Sequence, residues 1–182
     1  MQLNVVTKDI YTVENFWSAQ ECEEYIKKTE TIGFEPATIN TDFGVRRVES
    51  VRNNNRVMYK DVELANAIWQ RAKDFVPAQT GNSVAIGLNE LFRFYKYEPG
   101  QQFKKHRDNS FIRNSNEASY YTFMIYLNDG YTGGTTTFNN VEIEPKQGTA
   151  LIFRHALEHA GTEVETGVKY VLRTDVMYRL PE

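Results

Sequence analysis

The chain has 182 residues, and its 24 acidic side chains outnumber its 21 basic ones, which gives a net charge of −3 and argues against a nucleic-acid partner. Hydrophobic residues make up 41% and charged residues 25% of the chain, proportions that are ordinary for a globular domain and exclude a disordered class. Cys22 is the only cysteine, so an intrachain disulfide and a thiolate-rich metal site are both excluded.

The start of the chain shows no basic region followed by an apolar stretch, so we expect a cytoplasmic protein. The apolar runs are short, such as residues 150–153, and fall far below the roughly 20 residues that a bilayer span needs. No membrane association is therefore expected. The length suits one domain over 1–182, with a helical front portion over 1–85 and a core that carries the metal site over 86–182.

Two helices are predicted in the front portion. Ser18 followed by Glu21 forms a capping box that opens a helix running to Ile32. Asp61 caps a second stretch, in which apolar residues recur at helical spacing until Pro77 stops it.

A polar stretch over residues 48–61 precedes the second helix and is predicted to be a loop. It contains three consecutive asparagines at 53–55, flanked by Arg52 and Arg56. Such a run is more typical of a solvated turn than of a binding element.

From Gly87 onward, aromatic and β-branched residues alternate between turn signals and predict a sheet. Helices followed by many short strands predict a mainly β fold with flanking helices, of the α+β type. We expect a double-stranded β-helix, or jelly roll, with the N-terminal helices packed on one sheet. The predicted strands are Glu90–Tyr97, Phe103–Asp108, Tyr120–Leu127, Thr135–Phe138, Ala150–Phe153, Glu158–Glu163 and Lys169–Tyr178.

The stretch FKKHRDNS places a histidine and an aspartate two residues apart. On a strand, His106 and Asp108 point to one side and Arg107 to the other, so the pair can bind one cation. Either His155 or His159 could add a second nitrogen and complete the triad that leaves open positions on ferrous iron. For any single histidine, an ordinary structural or surface imidazole is the competing interpretation.

The last predicted strand alternates, and one of its faces carries Lys169 and Arg173. If this face is outward, the strand is an ordinary half-exposed one. If the face lines a cavity, two buried cations need an anion to pair with them, and a dicarboxylate is such an anion.

Four motifs in order, FYKYEPGQQFKKHRD, TFMIYLND with GGTTTF, PKQGTALIF and HAGTEVETGVKYVLR, carry a family resemblance. Over residues 90–178 the chain resembles the iron(II)- and 2-oxoglutarate-dependent dioxygenases, and within them the prolyl 4-hydroxylase-like branch. One departure is Phe103, where that branch often has tyrosine.

The resemblance implies that His106, Asp108 and His159 bind Fe(II). It favours His159 over His155, because the distal histidine of this family stands ten residues before the cation that binds the co-substrate, here Lys169.

The co-substrate contacts follow from the same resemblance. Lys169 would pair with the far carboxylate of 2-oxoglutarate, Tyr97 would hydrogen-bond that carboxylate, and Thr122 would lie nearby. From the residues alone, Arg173 stays open as the main cation for 2-oxoglutarate.

The implied activity is hydroxylation of an unactivated C–H bond by Fe(II), 2-oxoglutarate and O2, with succinate and CO2 as co-products. The substrate is expected to be an amino-acid-like small molecule or a peptidyl side chain. Each candidate contact can also be a plain surface charge, but together they indicate a polar or anionic substrate; they are Arg52, Asn54, Arg56, Arg107, Arg113 and Arg173.

Two other functions compete with this one. A cupin-like jelly roll could hold a metal without turnover, but it has no reason to bury Lys169 opposite the ligands. A nucleic-acid demethylase is disfavoured by the acidic composition and by the position of Lys169.

Overall fold

A computed structural model describes residues 1–41 and 44–181. Within these ranges the chain forms two helices, α1 (Ala19–Ile32) and α2 (Val62–Ala72). The strands, in chain order, are β1 (Gln2–Thr7), β2 (Ile10–Glu14), β3 (Glu35–Pro36), β4 (Ile39–Thr41), β5 (Gly44–Arg46), β6 (Asn55–Lys60), β7 (Gln79–Thr80), β8 (Ser83–Leu88), β9 (Leu91–Tyr97), β10 (Phe103–His106), β11 (Glu117–Tyr126), β12 (Thr132–Gly133), β13 (Thr136–Phe138), β14 (Glu142–Ile143), β15 (Ala150–Arg154), β16 (His159–Gly161), β17 (Val164–Thr166) and β18 (Lys169–Arg179).

The strands form a large sheet and a small one. The large sheet follows the order β1-β2-β15-β11-β18-β9-β6-β3, with β8 also paired to β18 and β7 to β8. The small sheet has the order β10-β16-β13-β14, and β4-β5 and β12-β17 are separate pairs. All of these pairings are antiparallel. The mainly β character predicted from the sequence is confirmed.

Both predicted helices are present. Ser18 caps α1 with a complete capping box, and the side chain of Asp61 accepts a hydrogen bond from the Leu64 N–H at the start of α2. α2 ends at Ala72, one turn earlier than the apolar spacing predicted. The starts of both helices can be predicted from sequence because a cap is a local hydrogen bond between residues three apart.

The predicted helical front portion is only partly correct, because β1 to β7 lie in it as well. β2 pairs with β15, and β6 pairs with β9, so these strands extend the large sheet on both sides. The predicted polar loop over 48–61 contains β6, and both Arg52 and Asn54 are buried rather than solvated. β6 buries only Val57 of its side chains, which is too weak an apolar signal to predict a strand.

Two strands of the core half also differ from prediction. β10 ends at His106, two residues early. Within the predicted strand over residues 158–163, only residues 159–161 form a strand, β16, which pairs with β10 and β13. β17, which was not predicted, follows it and pairs with β12. Which strand pairs with which depends on the tertiary structure, and the alternation of residues along the chain does not predict it.

Two hydrophobic clusters form the core. The larger one contains buried residues of both helices together with Phe94, Phe123 and Leu172 of the large sheet. The second cluster contains Tyr97, Phe153 and other residues that adjoin the small sheet. Neither described helix is long and apolar enough to span a bilayer.

Candidate active site

A cavity of about 330 Å³ opens beside β9, β18 and the small sheet. Side chains of β9 and β18 that lie opposite each other line it: Tyr97 with Lys169, Tyr95 with Val171, and Arg93 with Arg173. They share one face because strand side chains alternate. Lys169 and Arg173 therefore face a cavity, and the half-exposed interpretation of β18 is excluded.

His106, Asp108 and His159 meet in this cavity. Each offers one ligand atom, and these atoms lie within 4.8 Å of one another. His106 and His159 are register partners in the antiparallel pair of β10 and β16, which brings two residues distant in sequence side by side. Asp108 follows the end of β10, so the loop beyond the strand, and not strand alternation, directs its carboxylate to the same point.

Both imidazoles are held in a defined orientation. Nδ1 of His106 hydrogen-bonds the Lys104 carbonyl at 2.7 Å, and Nδ1 of His159 hydrogen-bonds the Leu157 carbonyl at 3.0 Å. Since a carbonyl only accepts, each Nδ1 carries the proton and each Nε2 presents a lone pair. Nε2 lies 3.8 Å from Asp108 Oδ1 in His106 and 3.7 Å from Oδ2 in His159.

Burial keeps the histidines neutral. It lowers the pKa of His106 to about 4, with the neighbouring His159 adding to the effect, and it also lowers the pKa of His159. Burial alone would raise the pKa of Asp108, but the charge of Arg173, together with the two histidines and the hydrogen bond from Thr122, outweighs it and holds that pKa well below its usual range. At neutral pH the cluster therefore presents two neutral nitrogens and one carboxylate.

Asp108 is fixed by two donors. The Thr122 hydroxyl donates to Oδ2 at 2.5 Å, and Arg173 Nη2 lies 3.1 Å from Oδ1. Thr122, predicted to contact 2-oxoglutarate, thus has its hydroxyl hydrogen engaged by Asp108. Arg173 also pairs with Asp175 at 3.1 Å, so its guanidinium lies between two carboxylates.

His155 stands behind this cluster and not in it. Its Nδ1 lies 3.0 Å from the Thr122 hydroxyl, and its Nε2 lies 3.0 Å from the Ser119 hydroxyl. Because Thr122 donates to Asp108, His155 Nδ1 donates to Thr122, and Ser119 then donates to Nε2. Burial lowers the pKa of His155, which keeps its ring neutral in this chain of hydrogen bonds.

Lys169 is buried with 4% of its surface exposed, and no carboxylate pairs with it among the described residues. Its Nζ donates to the Gly134 carbonyl at 2.6 Å and lies 5.4 Å from the ring centroids of Tyr97 and Tyr126. Burial lowers its pKa to about 7 and raises the pKa of the Tyr97 hydroxyl to about 12. An ammonium so placed needs an anion as partner.

These residues fit an Fe(II) centre with a dicarboxylate co-substrate. Two imidazole nitrogens and one carboxylate are the donor set of the facial triad, which leaves metal positions open. The buried ammonium of Lys169 supplies the positive charge that a distal carboxylate requires.

The candidate substrate contacts divide into three groups. Arg52, Arg56, Arg107 and Arg173 line the cavity. Asn54 lies behind it and accepts a hydrogen bond from Arg52 Nε at 2.6 Å. Arg113 does not line the cavity, and it forms ion pairs with Glu90 and Glu117 at 2.6 and 3.1 Å, so the structure does not bring it together with the other candidates.

Sequence reasoning missed Arg93 and Tyr95, which also line the cavity. Both follow from the alternation of β9, since they precede Tyr97 by four and two residues. The buried ion-pair partner of Arg93 was harder to predict. It is Asp175, which lies on the neighbouring strand at 3.3 Å from Arg93.

Comparisons with known proteins agree with this geometry. Residues 92–174 match the family model described as the 2OG-Fe(II) oxygenase superfamily. The chain is similar to prolyl 4-hydroxylase 1 of Arabidopsis thaliana, with 27% identity over 197 aligned positions that cover 88% of this chain and 66% of the relative.

Solved structures share the fold. A viral collagen prolyl hydroxylase from Paramecium Bursaria Chlorella virus-1, solved with 2OG, has a TM-score of 0.67 and 21% identity, covering 94% of this chain and 97% of that one. A prolyl hydroxylase from Trichoplax adhaerens, solved with a peptide fragment of hypoxia inducible factor, has a TM-score of 0.70 and 17% identity, covering 93% and 84%.

Proposed function

The chain belongs to the 2OG-Fe(II) oxygenase superfamily, and on that premise we propose that it hydroxylates an unactivated C–H bond of a peptidyl side chain or an amino-acid-like small molecule. Fe(II), 2-oxoglutarate and O2 are the cofactor and co-substrates of the family. The observation that carries the proposal is the meeting of His106, Asp108 and His159 in the cavity that Lys169 also lines. Among peptidyl targets we favour a proline, because the relatives named above are prolyl hydroxylases.

We assign the large and small sheets to the two layers of a jelly roll, with the helices on the side of the large sheet away from the site. Buried residues of both helices belong to the hydrophobic cluster that the site does not adjoin, which supports this arrangement.

When bound, Fe(II) with 2-oxoglutarate and O2 supplies an oxidant that hydroxylates the substrate and leaves succinate and CO2. The chain holds and orients these groups. His106 and His159 present Nε2 because their Nδ1 protons are bound to carbonyls, and Thr122 fixes one carboxylate oxygen of Asp108.

Lys169 and Tyr97 are the proposed partners of the distal carboxylate. The ammonium of Lys169 lies over the Tyr97 ring, and the two residues face each other across β9 and β18. Nearby apolar side chains, among them Val171, Met124 and Phe153, limit the water that can reach the cavity.

An anaerobic titration tests the function directly. 2-Oxoglutarate is added to the Fe(II)-loaded protein while the visible charge-transfer band of the chelate is followed. We expect a saturable band that Asp108→Ala abolishes. Iron binding without a band would favour the cupin-like carrier, and Asp74→Ala, which removes an exposed carboxylate outside the cavity, is the matched control.

A further inference from the structure

The cavity carries more positive charge than its co-substrate requires. Six cationic side chains line it, whereas Asp108 is the only carboxylate among the described lining residues. Asp175 behind the lining neutralises one further charge, which leaves an excess of four positive charges. A divalent metal and a dianionic co-substrate cancel each other and leave this excess unchanged.

Arg52 shows where part of that excess is located. It is buried with 5% of its surface exposed, and no carboxylate forms an ion pair with it in the described part of the chain. Its Nε donates to Asn54, but its Nη2 has no hydrogen-bond partner. A buried guanidinium with a free donor is costly unless an anion reaches it.

Aromatic rings fix the position of this guanidinium. It lies 4.2 Å from the ring centroid of Tyr95 and 4.3 Å from that of Phe103. Phe103 in turn stacks on His106, with ring centroids 3.5 Å apart. Arg52 is therefore held beside the metal cluster by contacts that leave Nη2 buried and without a hydrogen-bond partner.

The surroundings of Arg52 reinforce the positive potential. Arg56 also lacks an ion pair among described residues, and it donates only to the carbonyl and hydroxyl of Thr38. Burial, and then the charge of Arg52, lowers the pKa of Arg56. Burial alone would raise the pKa of Tyr95, but the charges of Arg52, Arg173 and Arg93 outweigh it and lower that pKa.

We propose that the substrate carries an oxyanion, a carboxylate or a phosphate, and that Arg52 binds it beside the metal cluster. The inference rests on the proposed function and specifies its substrate class. Lys169 serves the co-substrate, so Arg52 remains for the substrate. Its planar fork of donors suits both kinds of oxyanion.

The test measures binding with Lys169 already occupied. The anaerobic Fe(II) protein is saturated with 2-oxoglutarate, the charge-transfer band is recorded, and three probes are titrated by calorimetry: N-acetylglycine, methyl phosphate and neutral N-acetylglycinamide. We expect at least one anion to bind about tenfold to a hundredfold more tightly than the amide. N-acetylglycine alone would indicate a carboxylate substrate, and methyl phosphate alone a phosphorylated one.

Variants distinguish a specific role of Arg52 from a general effect of positive charge. Arg52→Gln should reduce anion binding to the level of the amide, and Arg52→Lys should restore part of it. Arg47→Gln makes the same charge change at an exposed arginine that does not line the cavity, and it should bind like the wild type. If Arg52→Gln fails to fold, Arg56→Gln is expected to weaken anion binding in its place.

Equal binding of anion and amide by the wild type would overturn the inference, as would a full anion preference in folded Arg52→Gln. The charge-transfer band distinguishes failure of this inference from failure of the proposed function. Its absence in the wild-type protein would overturn the proposed function itself.

Discussion

Burial of the Lys169 side chain determines its protonation state. Desolvation lowers its pKa to about 7, below its ordinary value, so near neutral pH the unliganded protein holds a mixture of ammonium and amine. The unfolded chain binds this proton more tightly than the folded chain does. This residue therefore destabilises the fold at low pH, and its cost disappears as the pH rises from about 7 toward about 10.

The affinity for 2-oxoglutarate is expected to fall as the pH rises above about 7. The dianion pairs with ammonium, so above this pH binding must take up a proton, and the affinity should fall by up to about tenfold per pH unit. Titrations of the Fe(II) protein between pH 6.5 and 8.5 measure this slope. Lys169→Met should bind weakly without the slope, whereas Lys73→Met, at an exposed lysine, should keep it. An affinity independent of pH in the wild type would contradict the assignment.

Thr122 is expected to act on metal affinity through Asp108. Thr122→Val removes the hydroxyl that joins Asp108 to His155, and we expect Fe(II) to bind about tenfold to a hundredfold more weakly even without 2-oxoglutarate. Thr122→Ser retains the hydroxyl and should stay near wild type. A loss confined to 2-oxoglutarate affinity would instead return Thr122 to the predicted co-substrate contact.

At the scale of elements, the turn that precedes β15 holds the start of α1 against the large sheet. The Gly148 carbonyl accepts hydrogen bonds from the N–H groups of Phe16 and Trp17 at 2.9 and 3.0 Å. Gly148 has φ of 74°, and a Cβ there would lie 2.1 Å from the Trp17 carbonyl oxygen. Only glycine allows this approach between two backbones.

Gly148→Ala is therefore expected to destabilise the fold more than an alanine at another left-handed glycine. Gly130→Ala is the matched control, because its φ is 85° and nothing lies within 4 Å of the added Cβ. We expect a loss of about 1–2 kcal/mol for Gly130→Ala from backbone strain. The clash should cost Gly148→Ala roughly 1–3 kcal/mol more. Urea denaturation measures both, and equal losses would show that the turn relaxes away from Trp17.

On the scale of the whole molecule, front and core portions share one sheet and one large hydrophobic cluster. β2 and β6 of the front portion pair with β15 and β9 of the core. Separating the portions would expose the edges of these strands and the apolar faces of both helices. The chain is thus predicted to unfold as one domain.

Thermal unfolding is expected to show a single transition that ligands shift upward. Fe(II) with 2-oxoglutarate at about 100 times the dissociation constant should add about 2.7 kcal/mol. In a chain of this size that is a rise of roughly 5–10 °C in Tm. Asp108→Ala should lose the rise and Asp74→Ala should keep it. Two separate transitions would contradict the single domain.

The sequence by itself determined the β-rich class, the two helix starts and, through its motifs, the grouping of His106, Asp108 and His159. These features depend on local hydrogen bonds, on alternation along a strand and on motifs with fixed spacing, all of which are present in the linear chain. The tertiary structure alone decided that His155 lies behind Thr122, that Arg113 is held by Glu90 and Glu117, and that Arg52 is buried. These outcomes depend on contacts between strands that are distant in sequence, where burial and the nearest opposite charge fix the role of each side chain.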